Sequence, residues 1–258
     1  MFFFNSGTRL YLVETDTYDL VFIKGELMER RVVVFIPTFN DFQKLNDIVS
    51  EINRYYSSYE VVIIDDGSNP AGQFPAGCNT ARLPVNLGLG VLTNIAMAYS
   101  IFNHIDIMVR LDSDGQHSVS DIAMLISQIE SGSDIVIGSR MNRDNGFGIT
   151  SGLSRIARGY ISLIARFVLH SSLPRDMNSG FIAMNRFAME HINTIDLDRF
   201  PEPQLMIIGA VKGCKIDEVS VIQNSRTEGK SSIGVLQALK LLYRVTVYAL
   251  LVVTGVYR

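Results

Sequence analysis

The feature that most limits what this chain can fold into is an alternation. Val32–Ile36, Val61–Ile64, Ile107–Leu111 and Ile135–Ile137 are short, almost wholly apolar runs rich in β-branched residues. Such runs predict strands covered on both faces. Between them, apolar residues recur at helical spacing: Leu45, Ile48, Val49 and Ile52, then Ile95, Ala98 and Ile101, then Ile122, Leu125, Ile126 and Ile129. Asp41 is the expected cap of the first helix and Ser118 or Ser120 that of the third. Thr80–Leu83 is a shorter candidate strand. Strand and helix in alternation predict right-handed βαβ units, hence an α/β fold built on a mostly parallel sheet flanked by helices.

The turns that close these strands carry the chemistry. They are Asp65-Asp66-Gly67-Ser68, Asn86-Leu87-Gly88-Leu89-Gly90, Asp112-Ser113-Asp114-Gly115-Gln116-His117 and Gly138-Ser139-Arg140. An open α/β sheet binds its ligand at the C-terminal ends of its strands, which is where these turns fall. Asp112 and Asp114, two residues apart at a strand end, are predicted to converge on one object. Two close carboxylates repel unless a positive charge lies between them. A hard cation, Mg²⁺ or Mn²⁺, carrying a phosphate substrate would fill that place. The alternative for the triplet alone is an Asx turn with Gly115 at its positive-φ position.

Composition removes several other functions. The net charge of −3 gives no footprint for nucleic acid. Two cysteines and four histidines, without ligand spacing, fit neither a disulfide framework nor a zinc site, so a reducing cytoplasm is expected. Residues 1–27 read as an extension, with Leu20–Ile23 a possible short strand. Met1–Phe4 lacks the flanks of a signal peptide.

Beyond Arg140, residues 142–151 predict a polar loop and residues 153–169 a helix bearing Arg155. Ser225–Ser232 is a basic, hydroxyl-rich loop containing Arg226, Lys230 and Ser231. Residues 233–258 predict an amphipathic, strongly apolar helix. Its uninterrupted part after Arg244 is shorter than the roughly 20 residues of a membrane span. An interfacial helix with Lys240 and Arg244 at the headgroup level is the expectation, with packing on a partner subunit as the alternative.

Taken in order, Phe35-Ile36-Pro37-Thr38-Phe39-Asn40, Asp65–Ser68, Asn86–Gly90, Asp112–His117, Gly138–Arg140, Asn178-Ser179-Gly180-Phe181 and Gly229-Lys230-Ser231-Ser232 resemble family 2 glycosyltransferases, most closely the dolichyl-phosphate mannose synthase branch. The resemblance covers residues 32–232. It implies a GT-A fold over residues 28–232, a UDP- or GDP-linked sugar donor, a divalent metal and transfer with inversion. It implies that Pro37, Thr38, Asn40 and Asp66 hold base and ribose, and that Asn86, Gly88 and Gly90 lie along the nucleotide. Asp112 would lie beside ribose and metal, with Asp114 and Gln116 completing the metal's ligands.

The acceptor implied is a polyprenyl phosphate in cell-envelope glycan synthesis. Arg140, Arg155, Arg226, Lys230 and Ser231 are the candidates to grip it. A saccharide hydroxyl would instead need a base, for which Asp176 and Glu202 are the candidates. A non-catalytic nucleotide-sugar binding protein is the alternative of another class. This sequence departs from the family pattern at Leu89, Ile182 and Gln204, where relatives carry a basic residue, Arg and Glu. The twin membrane spans of some relatives have no counterpart here. The terminal helix, or a small membrane-protein partner, is expected to bring the chain to the cytoplasmic face of a membrane.

Overall fold

The computed structural model describes residues 9–13, 21–25, 30–139, 160, 164, 173–174, 176–221 and 235–257. The chain divides into two units, Met1–Arg30 and Arg31–Arg258. In the first, β1 (Arg9–Val13) and β2 (Val21–Gly25) form an antiparallel pair with Arg9 opposite Gly25.

The second unit carries a seven-stranded sheet. In chain order its elements are β3 (Val32–Thr38), α1 (Leu45–Tyr55), β4 (Glu60–Asp65), β5 (Asn79–Arg82), α2 (Leu89–Phe102), β6 (Ile107–Arg110), α3 (Ile122–Glu130), β7 (Ile135–Ser139), β8 (Ile182–Asn185), α4 (Arg186–Ile192), α5 (Glu202–Val211), β9 (Ile216–Ser220) and α6 (Val235–Val253). The strands lie in the order β5-β4-β3-β6-β8-β7-β9. All neighbours are parallel except β8, which runs antiparallel to both β6 and β7.

The uniform apolarity of β3 has a direct cause. All seven of its residues are buried, and alternate residues serve opposite faces. Val33 and Phe35 join Leu92, Met97, Leu205 and Ile208, from helices α2 and α5. Val32, Val34 and Ile36 join Leu45, Ile52, Leu125 and Ile129, from α1 and α3. Burying each such side chain contributes about 1.5–3 kcal/mol. Helix α5 is buried from Glu202 to Ala210, on every side, as an almost wholly apolar helix must be.

Four local expectations are corrected. The inner face of α2 is not Ile95, Ala98 and Ile101: Ile95 and Ala98 are exposed, and Leu92, Thr93, Ala96, Met97 and Ser100 are buried, because the helix is apolar on nearly every side and its pattern does not select a face. β3 runs on through Pro37 and Thr38, because its ladder to β6 ends at Phe35 opposite Arg110 and only β4 pairs beyond it. Asp41 does not cap α1. Leu45 starts the helix after Lys44 with no side-chain cap, while Asp41 accepts Thr38 Oγ1 at its carbonyl (2.5 Å) and Ser113 Oγ at its carboxylate (3.3 Å). Ser118 is the N-cap residue of a 3₁₀ turn, Val119–Asp121, that precedes α3, but its side chain makes no cap bond and meets the Ser120 hydroxyl instead, at 2.7 Å.

α6 packs inward through Val245, Tyr248, Ala249 and Val252 and leaves Tyr243, Leu250 and Val253 exposed. Arg244 stacks its guanidinium 4.6 Å from the centre of the Phe200 ring, so it is engaged within the protein. Among the described residues no helix is long and apolar enough to cross a membrane.

Candidate active site

The strands deliver their polar ends to one edge. β6 ends at Arg110, and Asp112 and Asp114 follow in the turn, outside regular strand geometry. Their proximity therefore comes from the turn and not from strand alternation. Asp112 sits against the backbone of Gly180, where a Cβ would stand 2.2 Å from Oδ2 and 2.5 Å from Oδ1. Gly180 is held in turn by the bend before β8, where Ser179 Oγ donates to the Gly138 carbonyl at 2.6 Å.

Burial pushes the Asp112 carboxyl above its ordinary range, although 36% of its side chain remains exposed. Arg110 and His117 pull it down, while Asp114 and Glu202 push it up. Asp114 is thus close enough for its charge to be felt. Its carboxylate accepts Gln116 N at 3.0 Å and also the Gln116 side-chain amide. Gln116 thus lies directly against Asp114, the residue it was expected to join. No cluster of three or more metal-ligating side chains occurs among the described residues. Two carboxylates completed by the oxygens of a bound diphosphate are a fitting set for Mg²⁺ or Mn²⁺, which rarely take an all-protein cage.

Arg110 is the residue that sequence reasoning missed. It is 1% exposed and pairs with Glu202 through Nη2, with Asp112 Oδ1 3.9 Å from its Nε. Its Nε and Nη1 have no hydrogen-bond partner among the described residues. The available signal was one cation inside an otherwise apolar strand, since a buried charge demands a partner. Glu202, the first residue of α5, is thereby committed to a guanidinium. Asp176 is 1% exposed, and its Oδ1 accepts Asn178 N at 3.3 Å, bracing the bend that carries Gly180.

The other end of the crevice is tied by Asp66, whose carboxylate takes the backbone N–H groups of Leu87 (2.8 Å) and Gly88 (2.9 Å). Asp66 thus holds the glycine turn through both carboxylate oxygens. Asn40, at φ 54°, donates its N–H to Ser68 Oγ (2.7 Å) and accepts Asn69 N (3.0 Å), joining the turns after β3 and β4. Pro37 and Thr38 are buried at the end of β3, beneath that junction. Asn86 accepts a hydrogen bond from Arg199. Gly90 leaves room for the chain at Asp198, whose carbonyl would lie 2.0 Å from a Cβ there. Gln204 explains its own departure from the family pattern. Its Oε1 accepts Asp198 N (2.5 Å) and its Nε2 donates to Asp196 O (3.2 Å) and Tyr257 Oη (2.9 Å), a mixed role no carboxylate can fill. Arg140, Arg155, Arg226, Lys230 and Ser231 lie outside the described residues.

Over 190 residues the chain is 25% identical to a polyprenol monophosphomannose synthase of Mycolicibacterium smegmatis, covering 66% of this chain and 67% of that protein. Over 218 residues it is 27% identical to a dolichol-phosphate mannosyltransferase of Pyrococcus furiosus, covering 79% of this chain and 59% of that protein. Its fold matches a Mycobacterium tuberculosis glucosyl-3-phosphoglycerate synthase crystallised with Mn²⁺, UDP-glucose and phosphoglyceric acid. That match has a TM-score of 0.61 at 18% identity and covers 86% of this chain and 79% of the other. This likeness shows the GT-A fold. The family model for glycosyl transferase family 2 matches residues 33–192. With its strand-end turns gathered on one edge of a GT-A sheet, and with relatives that include polyprenyl- and dolichyl-phosphate mannosyltransferases, the chain belongs to glycosyl transferase family 2.

Proposed function

We propose that this glycosyltransferase moves a sugar, with inversion, from a UDP- or GDP-linked donor to a polyprenyl phosphate at the cytoplasmic face of a membrane. The observation that carries the reading is the seating of Asp112 against Gly180 within reach of Asp114's charge. These two side chains would hold Mg²⁺ or Mn²⁺, which supplies charge to the departing nucleoside diphosphate. Asp66, Asn40, Thr38 and Pro37 would line the base and ribose end. Arg140, Arg155, Arg226, Lys230 and Ser231 would take the acceptor phosphate, Arg because its fork grips two oxygens at once.

A phosphate acceptor makes a smaller demand on this site than a hydroxyl. A phosphate oxygen arrives ionised and needs no base, whereas a hydroxyl needs a proton acceptor, a part that Asp176 or Glu202 would have to play. The names of the curated relatives, which refer to polyprenol, dolichol and undecaprenyl phosphates, support the same choice.

A thermal-shift series with UDP, GDP and their sugar conjugates tests this. Binding to the folded state alone raises the melting temperature by mass action. One nucleotide is expected to raise Tm only with Mn²⁺ or Mg²⁺ present, and Asp114→Ala to remove that shift. A metal-independent shift, or one that survives Asp114→Ala, contradicts the metal assignment.

The raised Asp112 adds a pH dependence. A divalent ion binds the carboxylate and not the acid, so metal uptake expels the proton. Mn²⁺ affinity is therefore expected to weaken as pH falls through a range above the ordinary carboxylate value of about 4, and to level off at higher pH. Calorimetric titration with Mn²⁺ between about pH 5 and about pH 8 measures this, and a flat profile contradicts it.

A further inference from the structure

We propose that Arg199 is the side chain that holds the donor's diphosphate, an inference that rests on the reading of the crevice as a nucleotide-sugar site. A nucleoside diphosphate with its base near Asp66 and its phosphates on a metal at Asp112 and Asp114 must cross the ground between. Two sets of contacts bound that ground. On one side Asp66 fastens Leu87 and Gly88 of the glycine turn. On the other, Asp112 leads through Arg110 to Glu202.

Arg199 stands three residues before Glu202 and reaches back to the glycine turn. Its Nη2 donates to Asn86 Oδ1, and its Cγ would lie 2.7 Å from a Cβ at Gly88. It therefore lies on the glycine turn that Asp66 fastens, in the segment that leads into Glu202. It is exposed, and it forms no ion pair with any described carboxylate. Its hydrogen bond to Asn86 uses one Nη2 donor, leaving other guanidinium N–H groups for phosphate oxygens.

The charges around it call for such a cation. Asp112 and Asp114 balance a divalent ion between them, so the donor's own negative charge remains to be met. The first turn of α2, Leu89-Gly90-Val91-Leu92, presents N–H groups and no charged side chain. A planar, permanently charged fork beside that turn is suited to a diphosphate, because charge-assisted bonds to phosphate are the strong ones.

The full chain is titrated calorimetrically with UDP and with GDP in the presence of Mn²⁺, and uridine and guanosine are measured by ligand-observed NMR. Arg199→Gln retains a donor for Asn86 and loses the charge. It is expected to weaken binding of the preferred diphosphate about ten- to a hundredfold while leaving the matching nucleoside unaffected, with Arg199→Lys between the two. Equal diphosphate affinity in wild type and Arg199→Gln overturns the assignment and leaves the nucleotide site standing. Equal losses for nucleoside and diphosphate also overturn it, because Arg199 would then only brace the loop. Failure of the wild type to bind either nucleotide overturns the reading of the crevice itself, and this assignment with it.

Discussion

Gly180→Ala is expected to give a folded protein whose metal affinity and transferase activity are nearly lost. The new methyl group would fall 2.2 Å from Asp112 Oδ2, 2.5 Å from Oδ1 and 2.7 Å from Cγ. All three atoms belong to the end of a short side chain that can swing aside, so the backbone survives and the carboxylate moves. Gly180 is not among the positive-φ positions, so alanine brings no backbone strain there. Displacing a catalytic group by about 1 Å costs on the order of a hundredfold in rate. Mn²⁺ titration together with nucleoside diphosphate release from the donor sugar nucleotide measures the effect, and a thermal melt checks the fold. Wild-type Mn²⁺ affinity in this variant would mean that Asp112 does not bind the metal.

Arg110→Met is expected to cause the largest loss of stability. Removing one partner of a buried ion pair leaves the other charge uncompensated, at a cost of about 3–5 kcal/mol. Here the abandoned charge is Glu202, 9% exposed, with Asp112 deprived of the same neighbour. For a chain of this size each kcal/mol lowers Tm by roughly 2–4 °C, so a drop of about 10 °C is expected. Adding Glu202→Gln should restore much of it, because the second change removes the stranded charge. The cycle of single and double variants, read by chemical denaturation, isolates the pair's coupling. Additive losses would show that the two side chains do not depend on each other.

Strand positions, the inner faces of α1 and α3 and the edge where the turns gather were legible because each rests on local pattern, whereas α2, apolar on nearly every side, gave no stripe to choose between and its inner face was misread. Val33 and Phe35 face one way and Val34 and Ile36 the other, as a doubly covered strand requires. What the pattern did not contain was pairing at a distance. Arg110 and Glu202 are 92 residues apart, and nothing local to either announces the other. Asp41 looks like a helix cap, yet its carboxylate meets Ser113, 72 residues on, and the helix starts later. The order β6-β8-β7, with β8 reversed, depends on which edges remain open after β3 and β4 pair. Gly180 was visible only as part of the Asn178–Phe181 motif, and its purpose was not, because that purpose is a neighbour's carboxylate.

The chain around Asp198 is fastened from the far end of the sequence. Tyr248 Oη donates to Asp198 Oδ2 at 2.7 Å, and Tyr257 is bound by the same Gln204 amide that accepts Asp198 N. Burial, with the Asp198 carboxylate beside it, pushes the Tyr248 phenol well above its ordinary value, so the proton in that bond stays put at any physiological pH. The segment leaning on Gly90 is therefore guyed, like a mast, by two phenols anchored some fifty residues downstream. Slackening either line at the chain's tail would be felt at the glycine turn, on the opposite side of that segment.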